Sequence, residues 1–152
     1  MTLYAIRPES ASLDDAEVIL LSTYGWEFLD QAITLWRLVD PARADAIAAI
    51  VERASDASDG PTRFGVDDLA ALIELVGGVD DAIVAAGIVD RHWRVPPDQL
   101  EALARRVPAM DLTTERTLEN KTHALAEVMI NAVAVRNFLA HAQREGCVVV
   151  HD

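Results

Sequence analysis

The chain has 152 residues, of which 51% are hydrophobic and 25% are charged. This length and composition predict one soluble globular domain with a core of its own. No run approaches about 18 consecutive apolar residues, and no basic, apolar leader opens the chain, so we expect a cytoplasmic protein and no membrane span. The single cysteine, Cys147, excludes an intrachain disulfide.

The excess of acidic over basic residues is confined to the first part of the chain. Residues 1–90 contain 5 Lys+Arg and 17 Asp+Glu, which gives 5 − 17 = −12, and residues 91–152 contain 8 of each. Proteins that bind nucleic acid usually carry a basic patch, so RNA binding would need a local cluster of cations in the second part. The acidic part would either contact a basic partner or keep the protein soluble.

Hydrophobic periodicity predicts helices from the N-terminal part onward. Residues 12–15 are typical of a helix start with acids in the first turn, and an apolar stripe over 26–36 follows at helical spacing. We expect Gly25 to kink or split this helix and Pro41 to follow its end. A second helix is predicted over the apolar positions of 47–54.

Shorter helices are expected in the middle of the chain. After a loop over 55–61, the sequence Gly-Val-Asp-Asp occurs at 65–68 and again at 78–81, where it predicts two helix starts. Another short helix begins at 95–98 and ends at Pro108.

The last helical segment is the longest. It is predicted from 111–114 to 145–146, with an apolar stripe that ends at Leu139 and a glycine that suits the C-terminal cap. A short strand follows over 147–150, and we expect Leu3–Ile6 to pair with it. These elements indicate an all-α bundle of four to six helices, with a short β-pair formed by the termini.

Near the end of the long helix the chain reads Arg136-Asn137-x-x-Ala140-His141. An arginine can hold a phosphate through its planar fork of donors, and a histidine can move a proton near neutral pH. The Arg-to-His spacing alone is not diagnostic, because Arg116 and His123 also fit it. The fuller string is more specific.

This string resembles the signature of the HEPN superfamily, the "higher eukaryotes and prokaryotes nucleotide-binding" domains. The resemblance covers the last 40 residues or so. It implies a single HEPN-like domain over 1–152, a bundle of four or five helices that forms a homodimer. It also implies a metal-independent endoribonuclease without a cofactor, or an RNA- or nucleotide-binding protein, of a toxin–antitoxin or phage-defence system. A cognate antitoxin is the corresponding partner. Many toxin members have a tyrosine where this chain has Gln143.

Helix geometry adds an argument for the dimer. Arg136 and His141 lie about 140° apart around a helix axis, whereas Asn137 and His141 share a face. Two copies meeting along this helix would bring two arginines and two histidines together. We therefore predict catalytic roles for Arg136 and His141, with Asn137 assisting, and RNA contacts from Arg144, Arg116 and Lys121.

Other interpretations remain open at this point. Arg136 would simply pair with Glu127 or Glu145, and Asn137 would bond to His141, if this were an ordinary solvated helix face. Glu119, His123, Glu127 and Asn131 share a helix face, but a metal would need a further ligand, so we predict no metal site. The segment 91–94 mixes cations with Trp93 and would either stack a base or anchor a loop. The alternative function is a non-catalytic acidic protein that binds a basic partner, as an immunity protein or antitoxin does.

Overall fold

A computed structural model describes residues 2–106 and 118–152, with side chains in the second range from Leu125 onward. The strands are β1 (Leu3–Ile6), β2 (Val18–Ser22), β3 (Thr62–Phe64) and β4 (Val148–His151). The helices are α1 (Gly25–Val39), α2 (Pro41–Asp56), α3 (Val66–Val76), α4 (Val79–Ala85), α5 (Leu100–Arg106) and α6 (Leu118–Arg144), and a 3-10 turn at Pro97–Gln99 precedes α5.

The prediction of an all-α fold is wrong. The four strands form an antiparallel sheet in the order β2-β1-β4-β3, so the protein combines a helical layer with a sheet. The predicted pair of terminal strands is present and lies at the centre, with Leu3 opposite His151 and Ile6 opposite Val148. The two strands that were not predicted from the sequence are the edge strands, β2 and β3.

Strand β2 replaces the helix expected to begin at residues 12–15. Its sequence Val-Ile-Leu-Leu-Ser is a short, continuous apolar run, which periodicity alone cannot assign to a helix or a strand. The helix begins only at Gly25, where the chain passes closely over β1 and β2. A Cβ at Gly25 would lie 2.7 Å from Leu3 Cδ1 and 2.9 Å from Ser22 Oγ.

The predicted breaks between helices are confirmed where the structure describes them. Asp40 caps α2 by accepting a hydrogen bond from the Arg43 backbone N–H at 3.1 Å, and Pro41 occupies the first turn. Both Gly-Val-Asp-Asp segments open helices, and Gly78 has a left-handed φ of 81° before α4. The predicted end at Pro108 and start at 111–114 lie outside the described residues.

The inner face of the sheet packs against the helices to form the main core. Leu3, Ala5, Phe64 and Val149 point into it and are fully buried. Helices α1 and α6 pack along each other, and the Asn131 side-chain amide donates to the Gln31 side-chain oxygen at 2.9 Å. Trp36 ties α1 to α3 by donating from its indole N–H to the Val76 carbonyl at 3.3 Å.

The outer face of the sheet is also apolar. Ile6, Val148 and Val150 are buried there beneath residues 7–17, which form no regular helix or strand and contribute Leu13 and Ala16 to a second small cluster. The cover is incomplete at β2, where Val18 and Leu21 remain 41% and 59% exposed. Within the described ranges, no helix combines the length and the apolar character needed to cross a membrane.

Candidate functional site

The predicted apolar stripe of the last helix fixes the orientation of α6 from Leu125 onward. Residues three, four or seven positions apart face the core, so the remaining positions face solvent or neighbouring helices. The predicted stripe residues Leu125, Val128, Ala132, Val135 and Leu139 are all buried, and Met129 and Ala142 are buried with them.

The motif residues Arg136, Asn137 and His141 are all exposed on α6. Asn137 and His141 lie opposite the buried stripe, as expected for positions one turn apart. Arg136 lies at the flank of the helix, against the turn between α3 and α4. Its Nε is 3.4 Å from the point that a Cβ at Gly77 would occupy, so the glycine leaves room for the arginine.

His141 has a carboxylate neighbour in its own helix. Its Nε2 lies 3.7 Å from Glu145 Oε1, and both side chains are 46% exposed. Among the described residues Arg136 forms no ion pair, with Glu127 or Glu145 or any other acid, and no hydrogen bond joins Asn137 to His141. The structure therefore leaves Arg136 and His141 on different sides of the same helix.

The three cations predicted to assist RNA binding are only partly described. Arg144 is exposed in the last turn of α6, one turn beyond His141. Arg116 lies outside the described residues, and so does the side chain of Lys121. Arg144 is therefore the one predicted assisting cation that the described structure places beside the motif.

The fold brings a further cation, Arg7, to the end of α6. It follows strand β1, and its Nη1 donates to the Glu145 carbonyl oxygen at 2.8 Å. Because 138 residues separate the two positions, no local sequence pattern connects them. Pairing of β1 with β4 supplies the connection, since β4 begins three residues after Glu145.

Backbone hydrogen bonds cap the end of the helix behind these side chains. Gly146 adopts the left-handed φ of 68° expected of a C-terminal cap, and the Cys147 N–H bonds to the Ala142 carbonyl at 2.9 Å. Cys147 is buried, and burial raises the pKa of its thiol, so it is a core residue rather than a nucleophile. His141 and Arg144 thus project from a capped helix end.

The segment 91–94 forms a tight loop that Asp90 organises. The Asp90 carboxylate accepts from the backbone N–H groups of His92 at 2.7 Å and Arg94 at 3.0 Å. These bonds, the one from Arg94 foremost, lower the pKa of the Asp90 carboxyl. Trp93 has a positive φ of 61° and packs against the core, which fits the loop-anchor interpretation.

A cavity of about 450 Å³ lies on the outer face of the sheet, with Ile6 and Val150 in its floor and Arg63 in its wall. None of the predicted site residues lines it. Arg63 already donates to the carbonyl oxygens of Ser10 at 2.9 Å and Pro8 at 2.8 Å. It therefore anchors the irregular segment over the sheet.

The residues of the metal interpretation on the α6 face lie partly outside the described side chains. The side chains of Glu119 and His123 lie outside the described residues, and Asn131 bonds to Gln31. In the described part of the chain, no three His, Cys, Asp or Glu side chains lie close enough together to hold a metal ion.

The family resemblance rests on Arg136, Asn137, Ala140 and His141 alone, because comparison with known proteins adds no match to it. No protein-family model, no curated protein and no solved structure matches this chain significantly.

Proposed function

We propose that the C-terminal half of α6 binds RNA and cleaves it without a metal ion, in a site completed by a second copy of the chain. The observation that carries this proposal is the exposure of Arg136, Asn137 and His141 on one helix. An arginine without an acidic partner in the described structure is available to a phosphate, whose geometry its planar fork of donors matches.

The chemistry follows from the side chains. Arg136 would hold the scissile phosphate and stabilise the charge that develops on its oxygens. One His141 would take the proton of the 2′-hydroxyl as its oxygen attacks phosphorus. As the bond from phosphorus to the 5′-oxygen breaks, the His141 of the second copy would give that oxygen a proton. The products would be a 2′,3′-cyclic phosphate and a free 5′-hydroxyl.

The geometry of α6 supports a second copy in the proposed site. Within one chain Arg136 leans toward Gly77, while His141 faces away from the core. Ile130, which is 54% exposed, and exposed Ala134 continue the face of Asn137 and His141 along the helix. An apolar residue beside a small one allows close packing of a second α6, which would bring Arg136 of one copy toward His141 of the other.

Expression of the wild-type protein and of a double mutant that lacks the motif side chains tests the proposal. We expect wild-type protein to slow growth and degrade cellular RNA, and Arg136→Ala/His141→Ala to do neither. The matched control is His92→Ala/Arg94→Ala, which removes the same side-chain types from the exposed loop at 91–94 and should behave like wild type. A harmless wild type, or equal effects of both double mutants, would refute a ribonuclease built on this motif.

Purified protein gives a direct test. Cleavage of RNA should persist in excess EDTA and leave 2′,3′-cyclic phosphate ends. The substitution Ile130→Lys should shift the protein toward monomer and abolish cleavage, because it puts a charge into the proposed contact between two α6 helices. An active monomer would show that one chain suffices.

A second proposed function is binding of a basic protein partner, in the manner of an immunity protein or antitoxin. The observation that favours it is the exposure of Glu9, Asp14, Asp15 and Glu17 in the irregular segment 7–17. A surface of one charge sign attracts a partner of the opposite sign, and added salt screens that attraction. A partner whose affinity does not change with salt would contradict it.

A further inference from the structure

We infer that the free edge of strand β2 accepts an extended, basic segment of another protein as a fifth strand of the sheet. The inference rests on the second proposed function, to which it adds the surface and the manner of binding. It is independent of the RNA site on α6.

The first observation is the hydrogen-bonding capacity of the edge. Strand β2 pairs with β1 on one side only, because it is the outermost strand of the order β2-β1-β4-β3. Alternate residues of an edge strand turn their N–H and C=O groups away from the sheet. Among the described residues, no other backbone hydrogen bond reaches residues 18–22. In the described part of the chain, α6 lies against β2, and no strand pairs with the outward backbone groups of β2.

The second observation is an exposed apolar strip along this edge. Val18, Leu21 and Tyr24 are 41%, 59% and 60% exposed, and they are three of the five large hydrophobic residues exposed in the described structure. Leu21 lies beside half-buried Tyr4, and Val18 lies beside Ile6, on the outer face of the sheet. A strand added to β2 would cover these side chains with its own alternate residues.

The other edge strand of the sheet, β3, is less suited to pairing with an added strand. Strand β3 has only three residues, and the Thr62 hydroxyl lies 3.1 Å from the Ser55 hydroxyl of α2. The outward side chain of β3, Arg63, is bound to the carbonyls of Pro8 and Ser10. Strand addition is therefore assigned to β2.

The charged residues near β2 indicate which kind of peptide segment would pair with its free edge. Two exposed acids, Asp15 and Glu17, come directly before β2 in the chain. Glu9 and Asp14 lie instead toward β3, near Arg63. The one cation of this segment, Arg7, is bound to the Glu145 carbonyl. A segment with lysine or arginine between apolar residues would pair its cations with Asp15 and Glu17 and its apolar side chains with Val18 and Leu21.

A second copy of the chain fits this edge poorly. Pairing of two β2 strands would bring two strongly acidic molecules into contact. Each copy has a net charge of −12, and like charges placed across an interface disfavour association. The acids therefore act against self-pairing at an edge that would otherwise invite it.

The test uses a displayed library of random peptides, about twelve residues long, selected on the purified full-length protein. We expect enriched peptides to alternate apolar residues with Lys or Arg, and to bind less tightly as salt is raised. Hydrogen exchange should slow at β2 amides when they bind. Affinity should fall about tenfold or more for Leu21→Lys, which puts a repelling charge on the edge.

The matched control is Val66→Lys, which adds the same charge at a residue 62% exposed on α3 and should leave affinity within about twofold of wild type. Basic peptides that bind wild type and Leu21→Lys equally would refute the β2 surface, while the proposed basic-partner function would stand. Enrichment of no basic peptide would refute both. Dimers of the protein that Leu21→Lys dissociates would also refute the inference, because a second copy would then occupy the edge.

Discussion

Protonation of His151 should destabilise the folded protein. The His151 ring lies on the inner face of β4 and stacks on Trp26 of α1, with ring centroids 3.9 Å apart and planes 17° from parallel. Its Nε2 is buried without a hydrogen-bond partner among the described groups. Burial lowers the pKa of this imidazole below its ordinary value of 6.5, because a charged ring there would lose part of its hydration.

The direction of the pH effect follows from this pKa. Below about pH 6.5 the unfolded chain binds a proton that the folded chain resists, so the free energy of unfolding falls as the pH is lowered. One such group changes this free energy by at most about 1.4 kcal/mol per pH unit. Between pH 6.5 and pH 5 the loss is therefore at most about 2 kcal/mol, against a typical total of about 5–15 kcal/mol.

Urea unfolding of the wild type and His151→Phe, at about pH 7.5 and about pH 5, would measure the effect. Phenylalanine keeps a ring on Trp26 but cannot take up a proton, and other titrating groups affect both proteins alike. We expect His151→Phe to gain stability relative to wild type as the pH falls. A difference between the two proteins that stays constant over this range would refute the reasoning.

Three further predictions concern packing and capping. Gly25→Ala should lower the free energy of unfolding by about 1–3 kcal/mol, because its Cβ would lie 2.7 Å from the side chain of fully buried Leu3. Thermal unfolding would check this, with Gly60→Ala as the control, because a Cβ at Gly60 meets no neighbour. Leu139→Ala should cost about 2–5 kcal/mol, since Leu139 is fully buried beside the motif; an unchanged midpoint in urea would contradict the packing of α6. Asp40→Ala should cost about 1 kcal/mol through loss of the α2 cap, and Asp40→Asn, which can still cap, should recover most of that loss in the same assay.

The helices were largely predictable because their signals are local. Pro41, the two Gly-Val-Asp-Asp segments and Gly146 mark helix ends by backbone chemistry that acts within a few residues. The stripe that ends at Leu139 sets the buried face of α6 in the same way. These features depend on neighbours in the chain, so the sequence carries them directly.

The edge strands were not predictable, because their conformation depends on a distant partner. The apolar run at Val18–Ser22 fits a helix or a strand equally well, and pairing with β1 decides between them. Strand β3 has three residues and is stabilised by pairing with β4, far along the chain. The error in fold class came from these two segments.

For the candidate site, the sequence by itself supplied the side-chain types of the motif and their places on a helix. Exposure of Arg136, its position over Gly77 and the arrival of Arg7 at the Glu145 carbonyl were decided only by the tertiary structure. The same holds for the open edge of β2. The spacing of residues on one helix is fixed by the local backbone, whereas contacts between distant segments depend on how the sheet and helices pack together.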